Sequence, residues 1–293
     1  MPGVPILQCG VAKPRPSTAD PSAEQQQQIT ELLSQVPQLI NAIKGLTDEE
    51  AVALGAFAND RDCASRFLRA TKWDLAAAVT RLSDTLKWRR EYRPDLISAD
   101  EIEPEAVTGK QFLSGFDKQG RPLLFLVPRL ENTKTYDRQI RYSVYMLEKA
   151  IKVMPAGVER IDVVIDYENL NMFNAVPMSV SLKYLNILSS HYPERLGVGI
   201  VVNPSWYLSV FFKLLSPFMD PVTKAKLYFC KVDRSGKTSN TESSVQKEDT
   251  TEGTGGWADI LEIADADQLP VEFGGKYDFV YDHKVYWEKL SQI

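Results

Sequence analysis

The spacing of apolar residues changes along the chain. Between 24 and 44, Ile29, Leu32, Leu33, Val36, Leu39, Ile40 and Ile43 recur at intervals of three and four, which predicts an amphipathic helix. Pro37 predicts a kink or a split within it, and Gly45 a stop. Thr47-Asp-Glu-Glu50 has the form of a capping box, in which a Thr at the N-cap and a Glu three residues on satisfy each other's amides. Residues 61–71 and 75–92 predict two more helices, the second capped by Asp74 and ended by Pro94. A helical region over 24–105 follows. Ahead of it, 1–23 carries five prolines and few apolar residues and is expected to be a flexible tail.

Beyond 105 the pattern shortens. The runs 110–116 and 123–127 flank Asp117-Lys-Gln-Gly120, the signature of a hairpin with Gly where φ is positive. Helical patterns over 135–153 and 177–190 alternate with the apolar runs 161–165 and 199–202, which predict strands covered on both faces. An apolar helix over 205–215 comes next. Asp220-Pro-Val-Thr223 then opens a short helix, with Asp at the N-cap and Pro at the first helical position. Residues 227–230 predict a last strand. The Ser-, Thr-, Gly- and Glu-rich 233–256 predicts a long mobile loop, and order resumes at Trp257, leading to an aromatic tail over 277–287. Alternation of strands and helices implies an α/β fold with at least partly parallel pairing in a domain over 106–293.

Composition narrows the classes. With 44% hydrophobic residues the chain of 293 is not disordered throughout, and its net charge of −5 argues against attraction to nucleic acid. Cys9, Cys63 and Cys230 are far apart, without metal-ligand spacing, and are expected to be free thiols. No run of 18 apolar residues is present and Met1 to Lys13 lacks the form of a signal peptide, so a cytoplasmic protein is expected.

Catalytic chemistry finds little support. Two histidines, His191 and His283, have no metal or acid–base constellation around them in the sequence. No G-x-S-x-G, P-loop or G-x-G-x-x-G motif occurs, so no enzyme, metal or nucleotide cofactor is expected. Asp166 and Glu168 at a strand end read as a capping turn. In 205–215, Ser205, Ser209 and Lys213 form one narrow polar stripe, while Trp206, Tyr207, Phe211, Phe212 and Leu215 belong to the apolar remainder. Such a helix is either buried on nearly all sides or a lid between an apolar cavity and a bilayer, and its pattern is compatible with both.

Several strings in order resemble the CRAL-TRIO lipid-binding family. Arg66-Phe-Leu-Arg-Ala70, Lys72-Trp-Asp74 and Lys87-Trp-Arg-Arg90 resemble its N-terminal helical region. His191-Tyr-Pro-Glu-Arg-Leu-Gly197, Leu215-Ser-Pro-Phe-Met-Asp-Pro-Val-Thr223 and Gln268-Leu-Pro-Val-Glu-Phe-Gly-Gly275 resemble its lipid-binding domain. Within the family the chain is most similar to yeast-type phosphatidylinositol-transfer proteins. Asn132-Thr-Lys-Thr135, Tyr145-Met-Leu-Glu148 and Met154-Pro-Ala-Gly157 look most like the branch linked to fungal pleiotropic drug resistance.

The resemblance implies a mostly parallel β-sheet floor under a hydrophobic lipid cavity, closed by a helical gate at 205–215. It implies a phosphatidylinositol headgroup site at Glu194, Thr223 and Lys226, with Lys72 adding a charge; Thr71 stands where many members carry Arg. Thr223 lies in a first helical turn, where free amides would favour phosphate, and Lys226 shares its face. Ile161 and Val163 replace the hydroxyl residues with which many members hold phosphatidylcholine, so weak phosphatidylcholine binding is expected, and a sterol or other hydrophobic lipid as a second ligand. The expected protein is a monomeric lipid carrier without cofactor that visits membrane surfaces such as endoplasmic reticulum, lipid droplet or endosome. It would bind no nucleic acid. The alternatives are a sterol carrier or a regulator that presents lipid to a phosphoinositide kinase.

Overall fold

A computed structural model describes residues 4–10, 20–170, 176–204, 214, 216–232 and 254–293. The chain divides into two compact units: Thr18–Leu96 with Lys183–Arg195, and Met1–Ser17 with Ile97–Leu182 and Leu196–Ile293. The division differs from the boundary at 105/106 drawn from the hydrophobic pattern, because 183–195 joins the helical unit and 97–105 the other.

In the helical unit, α1 (Ala23–Asn41) starts at a capping box, Ser22 with Gln25, and buries Ile29, Leu32, Val36 and Ile40. It runs through Pro37 as one helix instead of splitting there. Pro37 is exposed, so the carbonyl that loses its helical donor lies on a face open to water and the cost stays small. α2 (Asp48–Ala58) begins at the expected Thr47–Glu50 capping box, α3 (Arg61–Ala70) at Asp60, and α4 (Leu75–Tyr92) at Asp74. α4 ends where Arg93 turns left-handed (φ 50°) ahead of Pro94. The apolar stripes meet in one core that includes Leu54, Phe67, Leu68, Leu82 and Leu86.

The second unit is built on a six-stranded sheet in the order β1 (Gln111–Phe116), β2 (Pro122–Leu126), β3 (Ile161–Asp166), β4 (Leu196–Val202), β5 (Leu227–Cys230) and β6 (Gly256–Trp257). Only β1 and β2 pair antiparallel; the other neighbours are parallel. In the hairpin, Asp117 Oδ1 accepts the amides of Gln119 and Arg121, and Gly120 adopts the expected positive φ of 84°. The unit also includes α5 (Ala99–Ala106), α6 (Tyr136–Lys152), the start of α7 (Met178–His191), α8 (Pro221–Ala225), α9 (Ile260–Ile263) and α10 (His283–Ser291). The second half of α7 belongs to the helical unit. The aromatic tail is ordered by ring contacts of Phe279, Tyr281 and Tyr286 with Phe112 and one another.

The edge strand β1 is covered. Tyr286 Oη accepts the Leu113 amide at 2.6 Å, and Gln268 Oε1 accepts that of Phe116 at 3.3 Å. Residues 4–10 correct the flexible tail expected over 1–23. The Ile6 amide donates to Ser114 Oγ at 3.1 Å, Ile6 O accepts from the Gly115 amide at 2.9 Å, Tyr277 Oη donates to Val4 O, and Pro5 is buried. The open backbone groups of an edge strand are what this segment satisfies.

Candidate functional site

Of the four residues expected to carry headgroup chemistry, Lys72 and Glu194 belong to the helical unit, and Thr223 and Lys226 to the sheet unit. Thr71 caps α3, where its hydroxyl donates to the carbonyls of Phe67, Leu68 and Asp74. That turn throws Lys72 and Trp73 into left-handed backbone (φ 54° and 66°) and leaves the Lys72 side chain exposed. Glu194, half-buried in the turn between α7 and β4, is also left-handed (φ 58°).

Thr223 lies in α8 and Lys226 caps its C-terminal end. The Lys226 amide donates to Thr223 O at 3.1 Å, and Lys226 Nζ donates to Leu196 O at 3.1 Å. Leu196 opens β4, one residue beyond Arg195, so the ammonium is fixed at the start of the strand that follows Glu194 in the chain. The first turn of α8 does not offer the free amides expected for a phosphate. Asp220 Oδ1 already accepts the amides of Val222 and Thr223 at 2.8 and 3.4 Å, so a carboxylate occupies the place expected for phosphate. What Thr223 offers a headgroup is its hydroxyl.

The gate residues Trp206, Tyr207, Phe211, Phe212 and Leu215 lie outside the described residues, as do 233–253 of the expected loop. Of the neighbouring apolar side chains, Leu214, Phe218 and Val222 are 57%, 63% and 57% exposed. Ile161 and Val163 sit on one face of β3, Ile161 buried and Val163 half-buried.

One buried cluster was not foreseen in the sequence. A β-bulge between Ile161 and Val163 interrupts the β3–β4 ladder, and there Asp162 Oδ1 accepts the Val198 amide at 2.8 Å. Arg121 Nη1 lies 3.5 Å from the same oxygen. Burial, and after it the neighbouring Asp117, raise Asp162 well above the usual carboxylate range, although Arg121 opposes them. The only hint was the single Asp in the apolar run IDVVI.

The two buried cysteines are not poised as nucleophiles. Burial pushes the Cys63 thiol up to about 11 and the Cys230 thiol to about 12, away from thiolate. Asp166 closes a turn by accepting the Glu168 amide at 3.0 Å, as its position at a strand end suggested. Among the described residues no group of three His, Cys, Asp or Glu could hold a metal ion, and no helix is long and apolar enough to cross a membrane.

A helical unit and a mostly parallel six-stranded sheet with one antiparallel edge define an α/β protein. The chain belongs to the CRAL/TRIO family: the CRAL/TRIO domain matches residues 106–275 and the CRAL/TRIO N-terminal domain residues 28–84.

The chain is 40% identical over 234 residues to a CRAL-TRIO domain-containing protein of Schizosaccharomyces pombe, covering 80% of this chain and 20% of that one. It is 35% identical over 242 residues to phosphatidylinositol transfer protein PDR17 of Saccharomyces cerevisiae, covering 78% and 61%. It is also 31% identical over 232 residues to the SEC14 cytosolic factor of Eremothecium gossypii, covering 73% and 68%. The chain thus spans only part of the length of the first two relatives. The crystal structure of Sfh5 shares the fold, with a TM-score of 0.59 at 20% identity over 88% of this chain and 96% of that one.

Proposed function

We propose that this chain is a phosphatidylinositol carrier that exchanges its lipid between membranes. The observation that carries this reading is the 35% identity with a phosphatidylinositol transfer protein over a stretch that holds Glu194, Thr223 and Lys226. In it, Lys226 and the Thr223 hydroxyl contact the phosphate, Lys72 adds charge, and Glu194 accepts inositol hydroxyls.

The energetics favour a cavity over contacts alone. Each acyl methylene holds a lipid in the bilayer by about 0.8 kcal/mol, more over two chains than a few headgroup bonds return. The exchange is near neutral only if the protein offers an equally apolar interior, and the headgroup then sets selectivity. Contact with the membrane falls in this reading to the apolar segment 205–215. The exposure of Leu214, Phe218 and Val222 supports it, because neighbouring bare apolar side chains suit a lipid surface. The apolar Ile161 and Val163 favour a second, less polar ligand over phosphatidylcholine.

The test is transfer of labelled phosphatidylinositol between vesicles. Loss of a charge-assisted hydrogen bond of about 1.5–3 kcal/mol lowers transfer by Lys226→Ala about tenfold or more. Transfer by Lys226→Ala equal to that of the unaltered chain, or an unaltered chain that moves no phosphatidylinositol, overturns the reading.

A further inference from the structure

Within the helical unit, one face of α4 grips the turn that bears Glu194. Arg81, Thr85, Trp88 and Tyr92 are spaced four, three and four apart and therefore share that face. Arg81 Nε donates to Ser190 O at 3.3 Å and Arg81 Nη2 to Ser189 O, so one guanidinium caps two of the last carbonyls of α7, which have no helical donor of their own. Fully buried Thr85 places Oγ1 3.2 Å from His191 Nδ1. Trp88 lies flat on the His191 ring, with centroids 4.3 Å apart and planes 8° from parallel, and meets Tyr192 edge-on at 5.9 Å. Trp88 also stacks on Tyr92 at 4.9 Å. Tyr192 and Pro193 are buried, and the Tyr192 amide still bonds back to Leu188 O at 3.1 Å.

The next residue is Glu194, in left-handed backbone. A residue without a glycine's freedom holds that conformation only where its surroundings over-determine it. The contacts with α4 supply that determination up to Tyr192, two residues before Glu194.

We infer that the Arg81–Thr85–Trp88 face of α4 positions Glu194, with the Trp88–His191 stack as its central element, so that the carboxylate is presented in one direction before any ligand arrives. These are positioning residues, and the inference rests on the carrier reading above. The His191 imidazole suits the role as a neutral ring: burial, then the Arg81 charge, hold it down at about 4, with Arg89 acting in the same direction and Asp84 against them. A neutral ring both stacks on indole and bonds the Thr85 hydroxyl.

The experiment uses the full chain with two readouts: phosphatidylinositol transfer between vesicles, and hydrogen exchange of the 189–196 amides without lipid. Trp88→Leu is expected to speed exchange at 189–196 and to lower transfer about tenfold, the size of the charge-assisted bond that a misaimed Glu194 forfeits. Trp88→Phe, which keeps a stacking ring, restores both. Combined with Glu194→Gln, Trp88→Leu adds no further loss, because both act through one carboxylate. Thr85→Val takes the place of Trp88→Leu if that variant does not fold. Exchange and transfer unchanged in a folded variant overturn the positioning role, as do losses that multiply with Glu194→Gln. An unaltered chain that moves no phosphatidylinositol overturns the carrier reading itself, a separate result.

Discussion

Asp162 Oδ1 accepts the Val198 amide at 2.8 Å, a side-chain bond standing where the β3–β4 ladder is interrupted. Gly197, beside it, makes the arrangement sterically possible. A Cβ there would overlap Asp162 Oδ1 and come within 2.9 Å of Arg121 Cδ. Gly197→Ala is therefore expected to displace a fully buried acid and its partner, and to destabilise by about 1–3 kcal/mol. Urea unfolding of the two proteins checks this, and an unchanged midpoint contradicts it.

A second buried ionic group ties α5 to the start of β1. Lys110 Nζ lies 2.5 Å from Glu105 Oε2 and 2.6 Å from Glu131 Oε1, and Arg138 Nε lies 2.5 Å from Glu105 Oε1. Against the cost of burial, the bonds from Lys110, Thr133 and Arg138 hold the Glu105 carboxyl below its usual range. Lys110→Met leaves the buried Glu105 with Arg138 and Thr133 as partners, so it is expected to cost about 1–3 kcal/mol. Thermal or urea unfolding gives the value; a loss below 1 kcal/mol, roughly that of an exposed pair, speaks against it.

Acid is expected to weaken the fold through His191. Its folded value of about 4 lies below the unfolded value of about 6.5, so between the two the unfolded chain binds a proton that the fold refuses. Stability from this residue is complete above about pH 6.5 and falls as the pH drops towards 4. Urea midpoints at pH 7 and pH 5 for the unaltered chain and His191→Phe isolate the effect from the carboxylates. The unaltered chain should lose more between the two pH values, and equal losses would refute the assignment.

In the proposed reading, the lipid preference rests on β3. With Ile161 buried and Val163 half-buried on one face, a choline phosphate placed there finds no hydroxyl, and an unpaired polar group costs a few kcal/mol. Phosphatidylcholine transfer is expected at about a tenth of phosphatidylinositol transfer or less, and Val163→Thr should raise it. Comparable transfer of the two lipids by the unaltered chain rules this out.

The sequence by itself determined what depends on near neighbours. Ser, Thr or Asp followed by a helical period gave the starts of α2 and α4, because a cap bonds to amides two or three residues away. The alternation of apolar runs and amphipathic helices gave the strands β2 to β5 and at least partly parallel pairing, but not their order in the sheet. The headgroup candidates were legible only through their motifs, since Glu, Thr and Lys are common surface residues.

Tertiary structure decided the rest. Pro37 is accommodated because it faces water; residues 4–10 are held because β1 has an open edge; Asp220 takes the amides that would have suited a phosphate. Lys226 is fixed by a carbonyl thirty positions away in the chain, and the Glu194 turn by a helix a hundred residues earlier. A local pattern specifies which backbone groups are satisfied within a turn of helix or a hairpin. Which groups remain, and which distant side chain meets them, is fixed only when elements pack and every buried donor and acceptor must find a partner.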